Sequence, residues 1–233
     1  MAIKPFRLPR TDEHCAILGC TGSGKTTLAM WTLSKAPFDR MPYIAIDYKN
    51  DDLLAQIGRI KELDLSDPIP ERPGLYVVRP LPSDIDEMEK WLWRVWEKGT
   101  TGLYIDEAYL LPNKEAIKNI LAQGRSLRIP VIAASQRPVD VPRSIFTEAS
   151  HIVVFRLNDD RDKKTVREFT PKFMMFSPGG EERRLPDYHS FWYSVKDHSA
   201  GDPRPYHILS PVPKAKKIVE TINERLAPDF RIT

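Results

Sequence analysis

Residues 19–26 read Gly-Cys-Thr-Gly-Ser-Gly-Lys-Thr, a complete G-x-x-x-x-G-K-[ST] phosphate-binding loop, and the apolar run Cys15-Ala16-Ile17-Leu18 leads into it. A strand delivers such a loop and a helix leaves it, so backbone N–H groups surround an anion at a helix N-terminus. Gly19, Cys20, Thr21, Gly22, Ser23 and Gly24 form the cradle, and Lys25, Thr26 and Thr27 open the helix. Gly22 and Gly24 let the backbone turn back on itself without a Cβ in the way. Lys25 is expected to reach the β- and γ-phosphates of ATP, and Thr26 to place its hydroxyl on Mg²⁺. The alternative, an ordinary glycine-rich turn, does not need this strand–loop–helix order. The segment reads as a nucleoside triphosphate site.

Two further segments carry hydrolytic chemistry. Leu103-Tyr104-Ile105-Asp106-Glu107 is an apolar strand ending in two acids. An acid at the end of a buried strand is costly unless it is paired or faces a cation. Asp106 is therefore expected to hold Mg²⁺, and Glu107 to align and deprotonate water; a helix cap or surface turn would use the same letters. A glutamate that activates water favours hydrolysis over transfer to a metabolite hydroxyl. Val131-Ile132-Ala133-Ala134-Ser135-Gln136 ends in an amide that could sense the γ-phosphate or the attacking water, or simply cap its strand. Arg125 and Arg128 precede that strand. Either suits a cation reaching a neighbouring subunit's nucleotide, and either also suits a solvated helix end favoured by the helix dipole.

The elements that must position these residues alternate. Helices are expected at 25–35, after Ser83 as N-cap, at 113–126 and at 215–226; strands are expected at 43–46, 75–78, 103–105, 131–134, 151–155, 191–195 and 206–209. Residues 58–74, with Asp67-Pro68-Ile69-Pro70 and Pro73-Gly74, read as a loop, as does 171–186. Met88, Trp91, Leu92, Val95 and Trp96 form a helical apolar stripe, which favours burial over base stacking; Trp93 falls off it. Strands alternating with helices indicate an α/β fold with a mostly parallel sheet covered on both faces.

The 233 residues suit one α/β domain with a modest appendage: a basic arm at 1–12 carrying Lys4, Arg7 and Arg10, a core at 13–170 and an extension at 171–233 packing on it. Hydrophobic residues make up 41% and charged residues 29%, a composition that argues against disorder. Net charge is +3, which permits a nucleic-acid partner without demanding one. No apolar run approaches a bilayer span and no signal-peptide pattern opens the chain, so no membrane insertion is expected. Cys15 and Cys20 form no metal or redox motif, which fits a reducing cytoplasm.

Gly19–Thr27, Ile46-Asp47-Tyr48-Lys49, Leu103–Glu107 and Ala134-Ser135-Gln136-Arg137-Pro138 with Arg125 together resemble the FtsK–HerA superfamily of DNA-pumping ATPases. The second segment is similar to that family's Asp-x-Lys after the second strand, and Ser135 stands where threonine is usual. The 150–156 strand and its following aspartates also resemble the family, so the likeness covers roughly residues 13–170. It implies a RecA-like core in which the Gln136 strand lies between the phosphate-loop strand and the Asp106-Glu107 strand. It further implies ATP at subunit boundaries of a homo-oligomeric ring acting on double-stranded DNA without sequence preference. The small size looks like the viral genome-packaging members, working in the host cytoplasm against a capsid or membrane vertex protein. Arg161, Lys163, Lys164, Arg167, Arg183 and Arg184 are candidate DNA-facing cations, or members of a charge-mixed solvated face. A phage export ATPase acting on protein and a nucleotide-gated oligomerisation module are the alternatives.

Overall fold

The structure, a computed structural model, describes residues 8–112, 115–170, 185, 190–195, 206–209 and 212–226. Lys4, Arg7, Asn113, Arg183, Arg184 and most of the expected 171–186 loop lie outside the described residues.

Short, largely apolar segments form the central parallel strands, because a parallel sheet with helices on both sides buries both faces of each strand, whereas the edge strand Lys61–Leu63 is Lys-Glu-Leu and largely exposed. The strands are β1 (Cys15–Leu18), β2 (Pro42–Asp47), β3 (Lys61–Leu63), β4 (Gly74–Val78), β5 (Gly102–Asp106), β6 (Val131–Ser135), β7 (His151–Val154), β8 (Ser190–Val195) and β9 (Tyr206–Leu209). The sheet order is β3-β4-β2-β5-β6-β1-β7-β8-β9. The seven strands from β3 to β7 in this order are parallel; β8 joins β7 antiparallel and β9 joins β8 antiparallel. As expected, β6 lies between β1 and β5.

Helices cover the sheet in two layers. On one face α3 (Ile85–Lys98), α4 (Glu115–Leu127), α5 (Arg143–Glu148) and α6 (Asp160–Phe169) close a core around Leu18, Ile46, Leu103 and Ala133. On the other, α1 (Lys25–Ser34), α2 (Asp52–Ala55) and α7 (Ala215–Arg225) pack on Ile17, Ala45, Tyr104 and Ala134. The period-2 alternation of strand side chains assigns alternate residues to the two cores. It also puts Asp47 and Asp106, register partners on β2 and β5, on the α1 side with Tyr104.

Two local expectations are corrected, and the burial of the helical stripe is borne out with Trp96 at its margin. Ser83 does not cap α3: Asp84 occupies the N-cap, and its carboxylate turns back to accept the Leu81 N–H at 2.8 Å. The expected 58–74 loop contains β3, an edge strand paired to β4. Of the tryptophan stripe, Trp91 is fully buried, whereas Trp96 is half-buried and meets Trp93 edge-on at 5.4 Å. Among the described residues no helix is long and apolar enough to cross a membrane.

Candidate active site

The site begins where β1 ends. The Gly19 N–H donates to the Ser135 carbonyl at 3.1 Å and the Cys20 N–H to the Arg156 carbonyl at 2.9 Å, so the loop is pinned between the ends of β6 and β7. Gly24 has φ 97°, a left-handed turn that opens α1 and that a side chain would strain. A Cβ at Gly19 would stand 2.6 Å from both Phe155 Cβ and Ser23 Oγ, so glycine is required there by close approach. The first turn of α1 holds no acidic residue and no capping side chain. Its N–H groups and the positive end of its dipole are therefore directed at whatever anion the loop holds. Lys25, the first residue of α1, is 6% exposed, and Ser23 Oγ is buried without a hydrogen-bond partner.

Opposite the loop, β5 delivers Asp106 and Glu107, 3% exposed each. Asp106 Oδ1 has no hydrogen-bond partner. Burial, reinforced by the neighbouring charges of Glu107 and Asp51, pushes the Asp106 carboxyl up to about 7 despite the opposing Lys25. Glu107 adopts φ 55°, ψ 58°, a left-handed conformation uncommon for glutamate and typical of residues that a site over-determines. Its carboxylate is crowded by cations. Lys49 Nζ stands 2.6 Å from Oε1, and Lys25 Nζ 3.8 Å from the same oxygen. The Gln136 N–H reaches Oε2 at 3.4 Å. Gln136 itself bridges the two halves of the site: Thr21 donates its hydroxyl to Oε1 at 2.5 Å, and Nε2 donates to the Tyr109 hydroxyl at 3.3 Å.

The fold thus brings the 19–26 loop, Asp106, Glu107 and Gln136 together at the carboxyl edge of the sheet, where ligands of open α/β folds bind. It does not bring Arg125 or Arg128 there. Both follow from the end of α4, at the amino edge of the sheet, and line a groove with Arg10, Thr11 and Asp12. Arg125 is exposed and lies 3.6 Å from Asp12. Arg161, Lys163, Lys164 and Arg167 stand on α6, with Arg161 3.7 Å from Asp159 and Lys163 3.6 Å from Asp160.

Lys49, Tyr109 and Asp47 were not assigned by spacing alone. Asp47 is buried at the end of β2; it accepts the N–H groups of Lys49 at 3.2 Å and Asp51 at 3.0 Å and pairs with Arg79 at 3.3 Å. That turn carries Lys49 across to Glu107. The only signal in the sequence was the short Asp-x-Lys, without a partner 58 positions away. Burial alone would depress the Lys49 ammonium, but the hydrogen bond and charge of Glu107 outweigh it and raise it, so the lysine stays charged.

No protein-family profile matches the chain. Over 220 residues, 92% of this chain and 93% of the relative, it is 36% identical to the DNA packaging ATPase P9 of Enterobacteria phage PRD1. Its fold is similar to that of the genome packaging NTPase B204 of Sulfolobus turreted icosahedral virus 2, solved with sulfate. The TM-score is 0.63 at 19% identity, covering 85% of this chain and 97% of that one. B204 has also been solved with AMPPCP and with ATP-gammaS. ATPases 2 and 3 of EssC from Geobacillus thermodenitrificans share the fold at TM-score 0.58 and 14% identity, with 92% of this chain matching 44% of that one. A P-loop core of this topology, in a chain related over nearly its whole length to P9, is a member of the viral DNA-packaging ATPase family and an ATP hydrolase.

Proposed function

We propose that this chain is an Mg²⁺-dependent motor that uses ATP hydrolysis to drive double-stranded DNA into a viral capsid. The carrying observation is the convergence of a buried lysine at a helix N-terminus with Glu107 and Gln136, in a chain 36% identical to a DNA packaging ATPase. In this reading the loop N–H groups and Lys25 bind the β- and γ-phosphates. Glu107 takes a proton from water, the hydroxide oxygen bonds to the γ-phosphorus, and the bond to the β-phosphate oxygen breaks. Gln136 orients the attacking water or the γ-phosphate.

Thr26 and Asp106 are the residues that would hold Mg²⁺. The buried, unpartnered Asp106 Oδ1 fits a divalent cation. Among the described residues no set of three or more His, Cys, Asp or Glu side chains forms a metal cage. That fits a magnesium site completed by water and phosphate oxygens. Bound there, Mg²⁺ would neutralise charge on the β- and γ-oxygens.

Arg125 or Arg128 serves a neighbouring subunit's nucleotide in this scheme, which requires a homo-oligomeric ring, and a capsid or vertex protein anchors that ring. The test is phosphate release with and without long duplex DNA. Stimulation by DNA is expected, and Glu107→Gln should lower the rate by about 10²–10⁴-fold while a non-hydrolysable ATP mimic still binds. A Glu107→Gln enzyme at full rate would remove the general base. Stimulation by a coat protein and none by DNA would select a protein-export ATPase.

A further inference from the structure

We infer that Tyr109 is a positioning residue for hydrolysis, acting through Gln136, whose amide its hydroxyl holds in place. The inference rests on the reading of Gln136 as the group that meets the γ-phosphate or the attacking water. The need for such a residue follows from the Gln136 side chain. Its backbone is fixed on both sides. The Gln136 N–H points to Glu107 Oε2 at 3.4 Å, and the Arg137 N–H donates to Ser135 Oγ at 3.1 Å. The turn beyond is tied to α6, where the Val139 N–H donates to Asp162 Oδ1 at 2.9 Å. Three rotatable bonds still separate that backbone from the amide, so an unsupported glutamine would sample many rotamers and spend little time against a phosphate.

Tyr109 is placed to supply the support. The left-handed backbone of Glu107 turns the chain out of β5 into a 3₁₀ turn, Ala108–Leu110, closed by the Leu110 N–H on the Glu107 carbonyl at 2.9 Å. Glu107 and Tyr109 therefore leave one short turn, and covalent geometry limits how far apart they can move. The Tyr109 ring is half-buried and packs on the core of the α3–α6 face. Such a ring loses only two side-chain torsions on packing, and it leaves a polar tip at the end of a rigid apolar body.

That tip meets the amide from the β5 side: Gln136 Nε2 donates to the Tyr109 hydroxyl at 3.3 Å. From the loop side the Thr21 hydroxyl donates to Oε1 at 2.5 Å. An amide offers two N–H donors and two lone pairs. The two contacts use one of each, which leaves one N–H and one lone pair for a phosphate oxygen or a water. Tyr109 acts without touching the nucleotide.

The experiment measures phosphate release at saturating ATP and Mg²⁺, with long duplex DNA present, for wild type, Tyr109→Phe, Gln136→Ala and the double variant. Tyr109→Phe keeps the ring and removes one oxygen, so Tm should change little. Its kcat is expected to fall by about ten-fold, with KM for ATP and affinity for ADP nearly unchanged. In the Gln136→Ala background the same substitution should have no further effect, because the hydroxyl has no amide left to hold.

Tyr109→Phe at the wild-type kcat overturns the inference. An equal fold-loss in both backgrounds also overturns it, since Tyr109 would then act on the reaction or the fold by itself. A loss confined to KM would do the same, because it would make Tyr109 a ground-state binding residue. A fully active Gln136→Ala sinks the role given to Gln136 in the proposed function. A slow Gln136→Ala beside a fully active Tyr109→Phe sinks this inference alone.

Discussion

Two buried polar side chains at opposite ends of the same parallel sheet are treated very differently. At the amino edge, His14 has both ring nitrogens engaged: Nε2 with the Leu121 carbonyl at 3.0 Å, and Nδ1 accepting the Val131 N–H at 3.1 Å. Burial lowers its pKa and keeps it neutral, and it behaves as a bolt between α4 and β6. At the carboxyl edge Asp106 is equally inaccessible, yet one oxygen has no partner and its neighbours include Glu107, Asp51 and Asp47. Folding seldom leaves a buried carboxylate unsatisfied, because the cost is a few kcal/mol. The amino edge is built for stability. The carboxyl edge holds unfavourable charge that a ligand is needed to relieve.

The contrast sharpens first at the groove of the amino edge. If Arg125 serves a neighbour's nucleotide, Arg125→Ala should slow hydrolysis by about 10³-fold or more while leaving the monomer's stability intact. Mixing Arg125→Ala subunits with Lys25→Ala subunits should then restore part of the activity, because some shared sites re-form with both residues intact. No recovery, with subunit exchange verified, would reduce Arg125 to a surface cation beside Asp12.

His14→Ala probes the bolt. Stranding the Val131 N–H and the Leu121 carbonyl should cost about 2–4 kcal/mol and lower Tm by roughly 5–10 °C, with ATP-mimic affinity per folded molecule unchanged. A larger change in nucleotide affinity than in stability would break the division of labour between the two edges.

Asp106→Asn should act in the opposite sense and more weakly. The folded-state pKa of Asp106 is raised from 3.8 to about 7, so the folded protein retains a proton that the unfolded chain has lost. Stability from this group is therefore greatest at low pH and falls as pH rises from about 4 to 7, then stays level. Without metal or nucleotide, the asparagine variant should be more stable than wild type by about 2 kcal/mol at pH 8, a Tm rise of roughly 4–8 °C. The gain should vanish near pH 4. A gain that does not depend on pH would mean that ionised Asp106 is not the source of the cost.

Much of this division was legible in the residues. The phosphate loop needs only neighbouring positions, and the apolar run Leu103-Tyr104-Ile105 leading into Asp106-Glu107 marks a buried strand with its acids at one end. Period-2 alternation then places the acid on the α1 side. The Lys49–Glu107 pair was not legible, because its partners come from the ends of β2 and β5 and meet only through strand order. His14 was missed for the same reason: its contacts lie 107 and 117 positions away. The chain beyond α6 illustrates a different limit. Short apolar runs identify β8 and β9 as strands, but nothing local states that they join the sheet antiparallel at its β7 edge.

A crystal structure of the protein with Mg²⁺ and a non-hydrolysable ATP analogue tests the central claim most directly. The account predicts the triphosphate within the 19–26 loop, its γ-phosphate bounded by Lys25, Gln136 and a water in reach of Glu107, and the metal beside Thr26 and Asp106. A nucleotide seated elsewhere, or one whose γ-phosphate faces away from Glu107 and Asp106, would contradict it.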